Sequence, residues 1–395
     1  MIIQSSKVFV EGDFVKAQVC IEGGKISAVL PYNAKTADVE YGDFMVLPGF
    51  IDVHTHGGYG CSVNDASEGE LVSWCRKLPG EGVTSALPTT STATNEATIA
   101  ALSRIACVEA DERSSSLQND NSQTCRGELC SPGAQILGIH LEGPFLDREY
   151  RGAHNESLLQ APNIALFEQF QKAARGNIKY ITIAPEHDKG FTLIKHASQN
   201  GVKVAIGHSS ASGELTKSAL LNGATSFAHS FNAMRPLHHR EPGVVGALMA
   251  SNSFAEIVAD GHHVNPDVIN ILFKAKEYSK LILVTDSMMV KGLPPGLYNS
   301  GGMDIEMDES GLVKLQGTNT LAGSSLKMNE GVRLLVEQAM IPLNYAILSA
   351  TLNPAQMLGI EMKKGQVLAS ADADITVLDN GFNVVQTYCL GRAML

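Results

Sequence analysis

Short apolar runs alternate with amphipathic stretches through the middle of the chain, and both ends read as strands separated by tight turns. Near the N-terminus, KVFVEGDFV, AQVCIEGGKISAVLP and GDFMVLPG are strand-like. Glu11-Gly12-Asp13 and Glu22-Gly23-Gly24 are hairpin signals among them. The C-terminal GQVLASADADITVLDNGFNVVQTYCLG has the same character. Two strand-rich ends around a long middle predict that residues 1–48 and 363–395 pair into one small β-sandwich domain.

Between residues 49 and 362 the strand candidates are MVLPGFIDVHTH, VTSALPTT, QILGIHLEG, KYITIAPE, KVAIGHS, ATSFAHSF, FAEIVADG and LILVTDS. Most precede a plausible helix, such as ALFEQFQKAARG, GELTKSALLNG or PDVINILFKAKEYS. Strands alternating with helices over this length predict an α/β fold, a (β/α)₈ TIM-like barrel. An open doubly wound sheet is the rival, but no GxGxxG follows any strand, which leaves its dinucleotide-binding version without support. The polar segment ADERSSSLQNDNSQTCRGELCSPG, residues 110–133, reads as a long surface loop or flexible insertion.

The 395 residues are 44% hydrophobic and 18% charged, the balance of a globular chain with a sizeable core. A net charge of −11 argues against a nucleic-acid partner, which needs clustered Lys and Arg. It leaves a phosphorylated small substrate open, because one Arg in a cleft grips a phosphate whatever the surface does. No apolar run reaches the roughly 18 residues of a membrane span, and no basic-then-apolar leader pattern opens the chain. Seven cysteines without a CxxC pair predict reduced thiols and a cytoplasmic protein. Cys61 lies near the first histidine motif and is expected to be a buried or incidental thiol rather than a ligand.

The chemistry gathers at strand ends. His54 and His56 end the first barrel strand, and residues i and i+2 share a face, so both imidazoles point to the barrel mouth. Glu142, His208, His229 and Asp286 close four further strand candidates. Each has a plain structural reading on its own; six matching coincidences predict a metal site. Glu142, His208 and His229 supply three ligands with an open position for water, the arrangement of a catalytic site. Asp286 is placed to take the water's proton and return it to a leaving amine. His54 and His56 are left with two readings, a second metal site or polar lining of the cavity.

The motifs LPGFIDVHTHGGYG, GIHLEGPFLDREYRGAHN, IGHSSAS, FAHSFNAMRPLHHREPGVVG, VADGHHV, VTDSM and TLAGSSLKM resemble the amidohydrolase superfamily. Within it, HLEGPF followed by RGAHN, and HSFNAM followed by HHREPG, resemble the N-acetylglucosamine-6-phosphate deacetylases. The resemblance implies a barrel with a flanking β-sandwich and hydrolysis of the acetamide to acetate and glucosamine 6-phosphate. It matches Glu142, His208 and His229 to metal ligands and Asp286 to the acid/base. It matches His154 to a contact near the scissile amide, and Asn232 and Ala233 to contacts with the sugar phosphate. Arg240 and His263 match phosphate binders reaching across the interface of a homodimer.

Of the remaining histidines, His140 shares a face with Glu142, and His262 points opposite to His263 in extended chain. His187, His196, His238 and His239 are expected to be structural. Some members of the resembled family lack the HxH and use one metal; this chain keeps both histidines and resembles those that bind two. The expected ion is zinc, with iron, cobalt, manganese and cadmium as alternatives at such N/O sites. The competing functions are another amidohydrolase acting on an N-acyl or cyclic amide, and a scaffold that has lost catalysis. No ligand and no acid/base is missing, which weighs against the scaffold.

Overall fold

The computed structural model of the chain describes residues 1–116 and 133–395, so most of the polar segment at 110–133 lies outside the described residues. Its first residues correct the loop reading: they continue the helix Asn95–Ser116. No Gly or Pro interrupts that stretch, and extending a formed helix needs no apolar periodicity.

Strands from both termini join one eight-stranded sheet. Met45–Pro48 makes the join, running parallel to Ile2–Val10 on one side and antiparallel to Ile375–Leu378 on the other. Ile3, Val19, Ile26, Val46, Ile375 and Val377 pack into a core of their own. The run MVLPGFIDVHTH is therefore two strands, not one. Gly49 separates them, in a place where a Cβ would stand 2.2 Å from Thr84 Oγ1.

The barrel strands are Phe50–Thr55, Val83–Thr90, Ile139–Glu142, Ile178–Ile183, Lys203–Ile206, Ser226–Phe227, Phe254–Val258 and Leu281–Val284. They pair in parallel, in chain order. Every residue of the first two is buried, as expected of strands with side chains packed on both faces. The seam between the first and eighth strands is closed by Asp286 N donating to His54 O and His56 N donating to Ser287 O, both at 2.8 Å. Asp52 adds a side-chain tie, accepting from Thr285 Oγ1 at 2.5 Å. Surrounding helices start where their caps dictate: Ser67 and Glu70 form a capping box before Glu68–Lys77, and Asn265 caps Pro266–Ala275.

A three-stranded antiparallel sheet, Gly296–Ser300, Met303–Met307 and Val313–Leu315, follows the eighth strand and was not foreseen from sequence. Met288, Val290, Ile305 and Val313 pack together within this part of the fold. Its first hairpin is tied to the loop after the first strand through Gly301 N and Asp65 Oδ2, 2.8 Å apart. No helix among the described residues is long and apolar enough to cross a membrane.

Beside the seam, Lys291 Nζ and Glu81 Oε1 form an ion pair of 2.7 Å with both side chains wholly buried. Glu81 also accepts the Met328 amide at 2.9 Å, and the Lys291 carbonyl accepts the Tyr59 amide. Removing one partner of a buried pair strands the other charge, so Lys291→Met is expected to cost about 3–5 kcal/mol. Pairing it with Glu81→Leu should recover most of that loss in urea unfolding. A double variant as unstable as the single one would contradict this account.

Candidate metal centre and active site

Five imidazoles face one carboxylate. Glu142, the last residue of the third barrel strand, places Oε1 3.1 Å from His229 Nε2, 3.3 Å from His54 Nε2 and 3.5 Å from His208 Nε2. Its Oε2 lies 3.2 Å from His56 Nε2 and 3.6 Å from His154 Nε2. Asp286 enters from the eighth strand, with Oδ1 3.2 Å from His56 Nε2 and 3.6 Å from His54 Nε2. Apart from His154, which is half-buried, all these residues are buried.

The opposite ring nitrogens explain which electrons face the centre. His54 Nδ1 is bonded to Glu256 Oε2 at 2.8 Å, His56 Nδ1 to Thr89 O at 3.1 Å, and His208 Nδ1 to Tyr150 O at 2.9 Å. Each acceptor fixes a proton on Nδ1, so Nε2 is the nitrogen left to face the centre and to give its lone pair to a cation in place of a proton. His154 is the reverse: its Nδ1 accepts the Thr92 amide at 3.3 Å, so its proton sits on Nε2 and it faces the site as a donor. His208 Nε2 and His229 Nε2 stand 3.0 Å apart, and His54 Nε2 is buried without a hydrogen-bond partner. Bare lone pairs crowded around two carboxylates form a donor set that a divalent cation fits.

Backbone strain collects at the same residues. His208, His229 and Asp286 have φ of +46°, +25° and +49°, in or beside the left-handed region, which costs about 1–3 kcal/mol each for a non-glycine residue. That conformation turns the side chain inward as the strand ends. Burial alone would raise the carboxyls of Glu142 and Asp286, but the surrounding imidazoles outweigh it and hold both below the usual carboxylate range. Burial pushes His208 down to about 4, while Asp286 and Glu142 overcome burial and hold His56 up at about 9. The cluster thus draws positive charge to its centre.

A cavity of about 380 Å³ opens onto these groups. His154, Asn232, Ala233 and His263 line it, as do Tyr150 and Met303. His263 lines the cavity of its own chain. The cause is Asp260, whose carboxylate holds the His263 ring at 2.6 Å and both the His262 and His263 amides at 2.8 Å. His262 turns away to Ser310 O. Arg240 does not line the cavity; it sits in an exposed loop against His239. His140 is buried edge-on to His54, with ring centroids 4.4 Å apart. His187 binds Asp147 and His196 binds Glu168, while His238 and His239 stack on each other in the loop. Cys61 is buried, and burial pushes its thiol up to about 12.

The amidohydrolase family profile matches residues 45–394. The chain belongs to the amidohydrolase family. It is 38% identical to the N-acetylglucosamine-6-phosphate deacetylase of Bacillus subtilis (strain 168), over 99% of this chain and 96% of that one. It is 35% identical to the N-acetylgalactosamine-6-phosphate deacetylase of Escherichia coli O157:H7, over 97% and 96%. Among solved structures it superposes on a mutant N-acetyl-D-glucosamine-6-phosphate deacetylase of Mycobacterium smegmatis in complex with N-acetyl-D-glucosamine-6-phosphate. That match has a TM-score of 0.90 and 30% identity, covering 100% of this chain and 99% of the other. The family is metal-dependent, in keeping with the His and Glu clusters described above.

Reading the sequence missed Glu256, Thr89 and Tyr150, the acceptors behind the imidazoles. Thr89 and Tyr150 act through their backbone carbonyls, and only the mid-strand carboxyl of Glu256 carried a signal. The Asp260–His263 pair generates a pH prediction. The Asp260 carboxyl, despite burial, is held below its ordinary range by His263 and two amides. Its folded pKa is depressed, so its contribution is present above the unfolded carboxyl value of about 3.9 and is lost as pH falls through the folded value. Melting temperature measured from pH 6 to pH 2 should therefore fall less steeply for Asp260→Asn than for the unmodified chain. Parallel curves would show that the pair is not linked to stability.

Proposed function

We propose that the chain hydrolyses N-acetylglucosamine 6-phosphate to glucosamine 6-phosphate and acetate. The observation that carries this reading is the convergence of Glu142, His208 and His229 on one point, with Asp286 opposite, at a cavity lined by His154 and His263. Glu142, His208 and His229 would hold one divalent ion, and His54 and His56 a second, with zinc the ion favoured among zinc, iron, cobalt, manganese and cadmium. Such an ion supplies Lewis-acid polarisation of the acetamide carbonyl and lowers the pKa of a bound water.

The protein's own groups do the rest. His154 donates from Nε2 to the acetamide oxygen. Asp286 Oδ1 takes a proton from the attacking water and passes it to the departing sugar amine. Asn232 and Ala233 hold the sugar phosphate, and His263 faces its phosphate end. Arg240 stands outside its own chain's cavity, which supports a homodimer in which it completes the neighbouring site. Free thiols at Cys20 and Cys61 accord with a cytoplasmic protein. The two domains, 1–48 with 363–395 and 49–362, divide the labour: the barrel carries every residue assigned here to the metal, the acid/base step and the substrate.

Acetate release from N-acetylglucosamine 6-phosphate, its galacto epimer and the unphosphorylated sugar tests the substrate. The gluco phosphate should turn over fastest, and activity on the galacto epimer alone would reassign the chain. Asp286→Asn should lower kcat by about 10²–10⁴-fold, the usual worth of a positioned acid/base; full activity would refute the mechanism. Arg240→Ala should raise KM for the 6-phosphate about 10- to 100-fold, the scale of a charge-assisted hydrogen bond, and leave an unphosphorylated amide unchanged. Equal losses on both substrates would remove Arg240 from the phosphate site, and a monomer by sedimentation would remove the shared site.

A further inference from the structure

Glu256 lies in the middle of the seventh barrel strand, Phe254–Val258, with its side chain wholly buried. A single oxygen, Oε2, makes two contacts: it accepts the Nδ1 proton of His54 at 2.8 Å and the backbone amide of His229 at 3.0 Å. The other oxygen, Oε1, is buried without a hydrogen-bond partner. The Tyr180 hydroxyl, bonded to Ser226 at 2.9 Å, stands near the same carboxylate. Among the described residues its ion-pair partner is His54 alone. A buried carboxylate with one bare oxygen is costly unless opposite charge stands close. The nearest place for that charge is beyond the ring it holds, at His54 Nε2, which faces Glu142 and Asp286.

We infer that Glu256 is a positioning residue for the metal centre: it aims His54 through the ring and His229 through the backbone, and so makes His54 a ligand rather than cavity lining. This rests on the metal-centre reading proposed above. The chemistry has two parts. The contact to His54 fixes the tautomer with a bare Nε2 and raises the basicity of that nitrogen. The contact to His229 holds an amide whose residue has a φ of +25°, a conformation that would otherwise relax and swing the ring off the common point. One side chain on the seventh strand thereby couples ligands on the first and sixth. His56 lacks such a carboxylate; its Nδ1 has a carbonyl and the Ser91 hydroxyl.

The test uses the full chain, stripped with a chelator and titrated with Zn²⁺ or Mn²⁺ against a chromophoric competitor. The unmodified chain should bind two equivalents. Glu256→Leu should weaken metal binding by about 10- to 100-fold, the range for lost outer partners of ligating histidines. Glu256→Gln, whose amide oxygen can still accept both protons, should recover part of the loss. The melting temperature of the stripped protein should change little in the Gln variant, which separates positioning from folding. If Glu256→Leu does not fold, the Gln variant decides alone: metal affinity below that of the unmodified chain supports the inference. Unchanged affinity in the variants overturns it while leaving the metal centre intact. Failure of the unmodified chain to bind metal would overturn the metal-centre reading itself.

Discussion

The whole arrangement depends on burying a carboxylate, Glu142, and surrounding it with imidazoles, three of which have a proton drawn to the far side. For His54, His56 and His208, giving the proton of the other nitrogen to a fixed acceptor sets Nε2 toward the centre. Here those acceptors are Glu256 on the seventh strand, the Thr89 carbonyl on the second and the Tyr150 carbonyl in the loop after the third. Acceptors on three elements meet ligands on five only if the sheet closes on itself. An open sheet would set the first and last strands far apart and leave His54 without Asp286. Barrel closure, secured by the backbone bonds at His54 and His56, is thus a condition of the chemistry as well as of the fold.

Strain and support are distributed in the same way. The left-handed conformations at His208, His229 and Asp286 would each relax in a flexible chain. Each is held by hydrogen bonds just beside it. Asp147 N donates to the His208 carbonyl, Glu256 accepts the His229 amide, and the Asp286 amide and carbonyl pair with His54 and Ser324. Glu186 steadies the residues after His208 by accepting from Ser209 Oγ and Ser210 N. Asp147, Glu186 and Ser324 lend this support from loops at the barrel mouth, where a (β/α)₈ barrel keeps its function, while Glu256 and His54 lend it from the strands themselves.

Much of this was legible from sequence because the signals are local. Eight apolar runs ended in polar residues, and the period of two put His54 and His56 on one face. The residues that close strands were therefore readable one by one as ligands. What was not legible depends on contacts between distant elements. Glu256 sits inside FAEIV, where a single charge in an apolar run gives no hint of its partner 202 residues away. The three-stranded sheet is built from short runs of mixed polarity that carry no clear period. At 110–116 polar composition predicts a loop, yet nothing in the backbone chemistry there ends the helix that begins at Asn95.

Charge sets the last constraint. At a net −11 the chain repels an anionic substrate at long range, so affinity for a sugar phosphate has to come from contacts at short range. Within one chain the cavity offers His263 toward that end, and His263 is already engaged through Nδ1 by Asp260. Its ring then presents Nε2, a single contact, beside a cavity that is also lined by Glu149. One imidazole next to a carboxylate is a poor grip for a dianion, and a guanidinium is a good one. Arg240 is the arginine that the motif nominates, yet its own chain carries it on an exposed loop away from the cavity. A phosphate-specific site on this barrel therefore needs a charge that an isolated chain holds but does not bring to its own cavity, which is the physical ground of the homodimer proposed above.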